Sequence, residues 1–317
     1  MTILSDLRQR TREWHQPSVR AAEAFAVVAV LCAVAMLIDQ RTLLGAPVWA
    51  KPFKFAVSGG LYFFTWSWLV SLLPRFRRTA SWLTNFLVLI FGVEYALVVF
   101  QAVRGRPSHF AATGFDGTIF QVMGVMIAGL WLATLALTVL LAFSRQSDRA
   151  TFWAVRLGAV LSLIGLSLGF LMTSPTAQQM AQLKAGGQPD LIGAHTVGLA
   201  DGGPGLPVLG WSTVGGDLRI PHFVGIHALQ ALPLLALALS ALAARFPRLE
   251  DGAMRTRLLL VGAFGYAGLI ALVTWQALRG ESIVHPGGET LTAFAALVAV
   301  VALGVYACTR RVAVAVR

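Results

Sequence analysis

Charge is scarce in this chain. Only 12% of its 317 residues are Asp, Glu, Lys or Arg, against about 25% in a soluble domain. Lysine is nearly absent, with Lys51, Lys54 and Lys184 the whole complement. The two cysteines, Cys32 and Cys308, lie inside or at the end of apolar runs. That placement argues against a disulfide framework or thiolate metal ligation, and both read as packing residues. No CxxCH occurs, so covalent haem c is excluded by motif. HExxH, the histidine boxes of membrane desaturases, Walker loops and GxGxxG are missing as well. Most named enzyme classes go with them.

What is present is apolar length. Hydrophobic residues make up 57% of the chain, and a bilayer-spanning helix needs roughly 20 mostly apolar residues. Suitable runs are Ala21–Ile38, Phe55–Leu73, Ser81–Val103, Thr118–Phe143, Phe152–Met172, His222–Ala244, Leu258–Leu278 and Thr290–Cys308. They predict an all-α integral membrane protein of eight transmembrane helices, with no separate soluble domain. The first run follows a polar leader and lacks a small-x-small cleavage site, so it reads as a retained helix rather than a signal peptide.

The net charge of +11 is explained by topology before nucleic acid. Cytoplasmic loops of membrane proteins collect Lys and Arg. With the N-terminus inside, cytoplasmic segments and helix ends hold 17 of the 25 Lys/Arg. These are Arg8, Arg10, Arg12, Arg20, Arg75, Arg77, Arg78, Arg145, Arg149, Arg156, Arg245, Arg248, Arg255, Arg257, Arg310, Arg311 and Arg317. Both termini are therefore expected in the cytoplasm of a bacterial inner membrane. Basicity implies contact with anionic lipid and no nucleic-acid partner.

The chain also repeats itself. "ALVVFQAVRG" at 96–105 and "ALVTWQALRG" at 271–280 share seven of ten positions. Pro52 and Pro221, Arg75-Phe76 and Arg245-Phe246, His109 and His285, and Asp116 and Glu289 recur at offsets of 169, 170, 176 and 173, against 175 for the best block. Two four-helix repeats are predicted, over 1–150 and 151–317. Four helices return the chain to its starting side, so the copies would be parallel and related by a pseudo-twofold axis along the membrane normal, as in transporters with sites between repeats.

Polar residues inside this frame mark the candidate site. Five of six histidines, His109, His195, His222, His227 and His285, fall on the predicted outer side, and histidine ligates metal or haem and carries protons. His222 and His227 lie at membrane depth; on one straight helix a five-residue spacing sets them roughly 140° apart, too far round to ligate one ion from one face. His227 shares a face with Gln230. Glu94 stands alone in "FLVLIFGVEYALVVFQAV", and an ionisable group in a membrane helix is a functional hypothesis by default. It is the candidate catalytic residue, with the outer histidines or Lys54 its expected partners. Lys51, Lys54 and Arg219 bring cations to helix starts where exposed amides can hold an anion or a lipid phosphate. The outer loop 173–220 is Gly- and Pro-rich but carries dispersed Leu, Val and Trp. It is expected to be an ordered cap that carries His195, Asp201 and Asp217 towards His222.

Eight helices with histidines on one side resemble, in architecture alone, copper-resistance membrane proteins of the CopD type; the likeness transfers no residue. The leading expectation is a membrane-embedded metal- or haem-binding protein, an oxidoreductase in its fullest form. His222, His227, His195 and Gln230 would hold haem b, or His222, His227, His109 and His285 a transition metal ion. A transporter of a small anionic or proton-coupled solute, and a non-catalytic assembly subunit, are the alternatives.

Overall fold

A computed structural model describes residues 11–144 and 148–310. Arg8, Arg10, Arg145, Arg311 and Arg317, counted above for topology, lie outside the described residues. The chain is all-helical, 73% helix. Its long elements are α1 (Gln16–Ile38), α2 (Ala50–Ser71), α3 (Arg77–Val103), α4 (Gly114–Ala142) and α5 (Arg149–Leu168). After these come the short α6 (Ala177–Lys184), then α7 (Arg219–Ile226), α8 (Ala228–Ala243), α9 (Gly252–Leu278) and α10 (Gly288–Arg310). Two small antiparallel pairs, β1 (Thr42–Leu43) with β2 (Ala46–Pro47) and β3 (Thr196–Val197) with β4 (Gly216–Asp217), sit in the loops.

Among the described residues, six helical segments are long and apolar enough to cross a membrane. The α7–α8 pair, bent by 44°, makes a seventh if counted as one span. These are the helices of a multi-pass membrane protein. Two of the eight expected runs differ in kind. α2 is a 22-residue helix but is not among the six, because Lys51 and Lys54 lie within its first turns and Ser58, Gly59, Gly60, Thr65 and Ser67 dilute the rest. The run His222–Ala244 is a broken helix. The outward surfaces of the bundle are apolar, with Leu37 on α1 79% and Val125 on α4 75% exposed, an arrangement suited to hydrocarbon and costly in water.

Local chemistry sets the helix starts. Asp148 accepts from Thr151 N at the start of α5, and Asp251 from Ala253 N at the start of α9. Thr176 and Gln179 form a capping box on α6, satisfying amides that a first turn leaves free. The two "Gln-Ala-x-Arg-Gly" segments end α3 and α9 with one geometry. Gly105 and Gly280 are both left-handed, at φ 65° and 72°. Arg106 N bonds to Gln101 O at 2.9 Å, and Glu281 N to Gln276 O at 3.3 Å. Arg104 lies over Phe100 and pairs with Asp116; Arg279 lies over Trp275 and pairs with Glu289.

Two cores form. One joins α1–α5 around Phe25, Phe63, Trp66, Leu87 and Leu137. The other joins α5, α8 and α9 around Leu161, Leu232, Leu259 and Ile270. Between them α5 meets the α7–α8 break at almost bare backbone. A Cβ on Gly165 would stand 2.2 Å from both Gly225 C and Ile226 N, and one on Gly158 would stand 2.9 Å from Ala228 O. Carbonyls released at the break are taken up by side chains: Tyr266 donates to Val224 O at 2.7 Å and Ser162 to Ile226 O at 3.0 Å. A span interrupted at depth requires such replacement donors.

Candidate functional site beneath the cap

The 173–218 segment is an ordered cap, built on α6 and the β3–β4 pair. It is tied to the helices through named polar contacts. Asp217 is almost fully buried. It accepts from Ser212 N (2.8 Å), Arg219 N (3.0 Å), and Arg219 Nε and Nη2 (2.9 and 2.5 Å). Arg219 Nη2 reaches on to Gly210 O at 2.6 Å, and Lys54 Nζ donates to the adjacent Leu209 O at 2.5 Å. Cations at the starts of α2 and α7 thus hold two consecutive carbonyls of the cap. Asp217→Ala leaves the part-exposed Arg219 and the Ser212 amide without their buried acceptor, a loss of roughly 1–3 kcal/mol. It is expected to free the cap, read as faster proteolysis between Thr173 and Leu218 while the helices stay intact; unchanged protection would exclude this anchoring role.

A second tie is pH-dependent. His195 Nδ1 lies 2.6 Å from Asp201 Oδ2, and Asp201 also receives His195 N and Thr196 N. Burial lowers the His195 pKa, with Lys51 and Arg219 adding to the shift and Asp201 opposing it. The Asp201 carboxyl is held well below its usual range by these hydrogen bonds and the imidazole, against the opposing effect of burial. A histidine with a depressed folded pKa gives its full stability above the unfolded value of about 6.5 and loses it as pH falls through that value towards the folded one. Asp201 contributes until far more acid pH. Protection of the amides at 193–197, measured as exchange relative to the intrinsic rate at each pH, is therefore expected to fall as pH drops from about 7 to about 5; pH-independent protection would contradict it.

The five histidines expected on the outer side are dispersed over five settings. His109 Nδ1 contacts Lys51 Nζ at 3.1 Å and Ser108 Oγ at 3.0 Å, and burial with the neighbouring Lys51 charge drives its pKa well below the ordinary value. The His195 ring packs on Phe110 at 4.8 Å. His222 Nδ1 bonds to Gly165 O at 2.8 Å, facing α5. His227 occupies the α7–α8 break itself. Its Nε2 is 3.4 Å from Ser58 Oγ on α2, and its Nδ1 is 3.2 Å from Gln230 Oε1. His285 is exposed in the loop between α9 and α10. Among the described residues, no three or more of His, Cys, Asp and Glu are placed to hold one metal ion.

Glu94 lies on α3 at 1% exposure, and neither carboxyl oxygen has a hydrogen-bond partner. The partners expected for it, the outer histidines or Lys54, are engaged elsewhere. Lys51 is the cation within electrostatic reach, but its Nζ is turned to His109 and no ion pair with Glu94 forms. Two turns along, Gln101 is fully buried and donates to Asp116 and Pro107 O. Sequence reading passed over Ser58, Thr65, Ser162 and Tyr266. The 158, 162, 165 spacing of small residues on α5 was the available signal, since close membrane-helix contacts use small residues at such intervals.

Comparison of the chain with protein-family models, curated proteins and solved structures finds no match.

Proposed function

We propose that the chain is a transporter that moves a small anionic solute, a carboxylate or phosphate, together with a proton. Its site lies beneath the cap, where α2 and α7 begin. One observation carries the reading: Glu94, a carboxyl buried at membrane depth with no bonding partner on either oxygen. A buried carboxylate left unpaired costs several kcal/mol, so the group persists where its protonation is used. Lys51, Lys54 and Arg219 supply positive charge above it. Lys54 is held by a neutral cap carbonyl, and Arg219 by another beside its ion pair with Asp217; an anionic solute would exchange the carbonyl contacts for bonds in which both partners are charged. Protonation of Glu94 adds H to a carboxylate oxygen and removes one negative charge from the core; its release reverses both.

Haem b or a transition metal ion remains the other chemistry that histidine permits. It is disfavoured by the dispersal of His109, His195, His222 and His227 over different partners. The surplus of arginine on the side away from the cap supports cytoplasmic termini and an outward-facing cap in a bacterial inner membrane. The matched turns at Gly105 and Gly280 support a duplication of four-helix units over 1–150 and 151–317. In proteoliposomes loaded with a pH indicator, small mono- and dicarboxylates and phosphate are tested one at a time. At least one is expected to acidify the lumen through the wild-type protein; an unchanged lumenal pH with all of them would remove the proposal.

A further inference from the structure

α2 and α8, one from each half of the chain, meet along a polar seam. Ser58 Oγ stands 3.4 Å from His227 Nε2, and Gln230 Nε2 donates to Leu61 O at 3.3 Å. Each of these pairs joins residues 169 positions apart, the offset that relates Pro52 to Pro221. Across a twofold axis, a residue meets its own counterpart only where the axis passes. The seam therefore coincides with the pseudo-twofold axis of the proposed duplication, and the α7–α8 span breaks at the axial histidine.

The seam also fixes where His227 carries its hydrogen. Thr65 Oγ1 gives its proton to Leu61 O at 2.7 Å, so it accepts from Gln230 Nε2 at 2.9 Å. Both amide donations of Gln230 point towards α2, which leaves its Oε1 for His227 Nδ1. An amide oxygen only accepts, so Nδ1 bears the hydrogen and Nε2 presents a lone pair to Ser58.

We infer that His227 is a proton-binding site on the axis between the two halves, held as the Nδ1-protonated tautomer with Nε2 open. Binding forms one N–H bond at Nε2 and breaks none; the Ser58 hydroxyl turns from donor to acceptor. The titratable and charged groups around it are His222 on α7, Tyr266 on α9, and Lys54, one turn from Ser58 on α2 and committed to Leu209 O. From α5 the contact at the break is the uncharged Ser162. The inference deepens the transport reading by giving the coupled proton a second stop, but the proton site stands on the seam geometry alone.

The test is solid-state nitrogen NMR on the full chain in lipid bilayers, with 15N histidine and carbonyl-13C isoleucine. Ile226–His227 is the chain's sole Ile-His step, so the resonance is identified without a variant. At about pH 9 the ring is expected to be neutral with hydrogen on Nδ1, and to become doubly protonated on acidification towards about pH 4. Ser58→Ala removes the acceptor for the new N–H and is expected to move that midpoint to lower pH. An Nε2-protonated ring at alkaline pH, or a neutral ring throughout the range, would overturn the inference. Either result would leave Glu94-dependent flux untouched, and a wild type without flux would leave the tautomer standing.

Discussion

A side chain at Gly165 is expected to keep α5 from closing on the α7–α8 break. A Cβ there meets Gly225 C and Ile226 N at 2.2 Å. Both are backbone atoms and have no rotamer by which to move aside. Relief requires α5 to back away from the α7–α8 break by about 1 Å, which forfeits a quarter to a half of the dispersion energy of the contacts involved. It also stretches the His222–Gly165 and Ser162–Ile226 hydrogen bonds. Overpacking of this kind costs roughly 1–3 kcal/mol and occasionally more; a backbone-to-backbone clash belongs at the upper end. Gly158→Ala, whose Cβ meets Ala228 O at 2.9 Å, is expected to be milder, and Gly124→Ala, with nothing within 4 Å, neutral or slightly stabilising. Thermal unfolding in one detergent should rank the three in that order. Equal melting temperatures for Gly165→Ala and Gly124→Ala would show that the close approach does not hold the fold together.

Glu94→Leu is expected to produce a more stable protein that no longer works. Even as a neutral acid, a buried carboxyl with both oxygens unpaired costs about 1–3 kcal/mol, and leucine removes that cost. Leu269, 175 positions on in the matching segment, shows which residue the second half has there. Proton-coupled uptake is expected to fall at least ~100-fold, because Glu94 is the carboxyl buried with both oxygens unpartnered among the described residues, while the melting temperature rises. Such a trade of stability for activity is the usual mark of a functional group in an unfavourable place. An assembly subunit would show the gain in stability and no functional loss.

The helices were legible because apolar length is a local property. The run Ala21–Ile38 lies inside α1, and Leu258–Leu278 ends where α9 ends. The apolar run Phe55–Leu73 begins five residues after α2 does, since apolar length leaves out a first turn and a half that carries Lys51 and Lys54, the cations expected at that helix start. The break at His227 could not be read from 222–244. The run is equally apolar straight or bent, and Pro233, the local kink signal, lies six residues later. The break coincides with the approach of Gly165, some sixty residues earlier in the chain, which is tertiary information. Glu94's isolation was readable from its apolar neighbours; that neither Lys54 nor any histidine would turn to meet it was not. The outer histidines follow the same division: sequence put five on one side, but side-chain partners spread them between the cap, α5 and the α2–α8 seam.

The central claim is that a proton and a small anion move together through Glu94. It is tested most directly by uptake of the active solute into proteoliposomes under an imposed pH gradient, wild type beside Glu94→Gln. The account predicts accumulation that follows the gradient and collapses with a protonophore in the wild type, and no gradient-driven accumulation in the variant despite an unchanged fold. Equal, gradient-driven uptake by both proteins would contradict it.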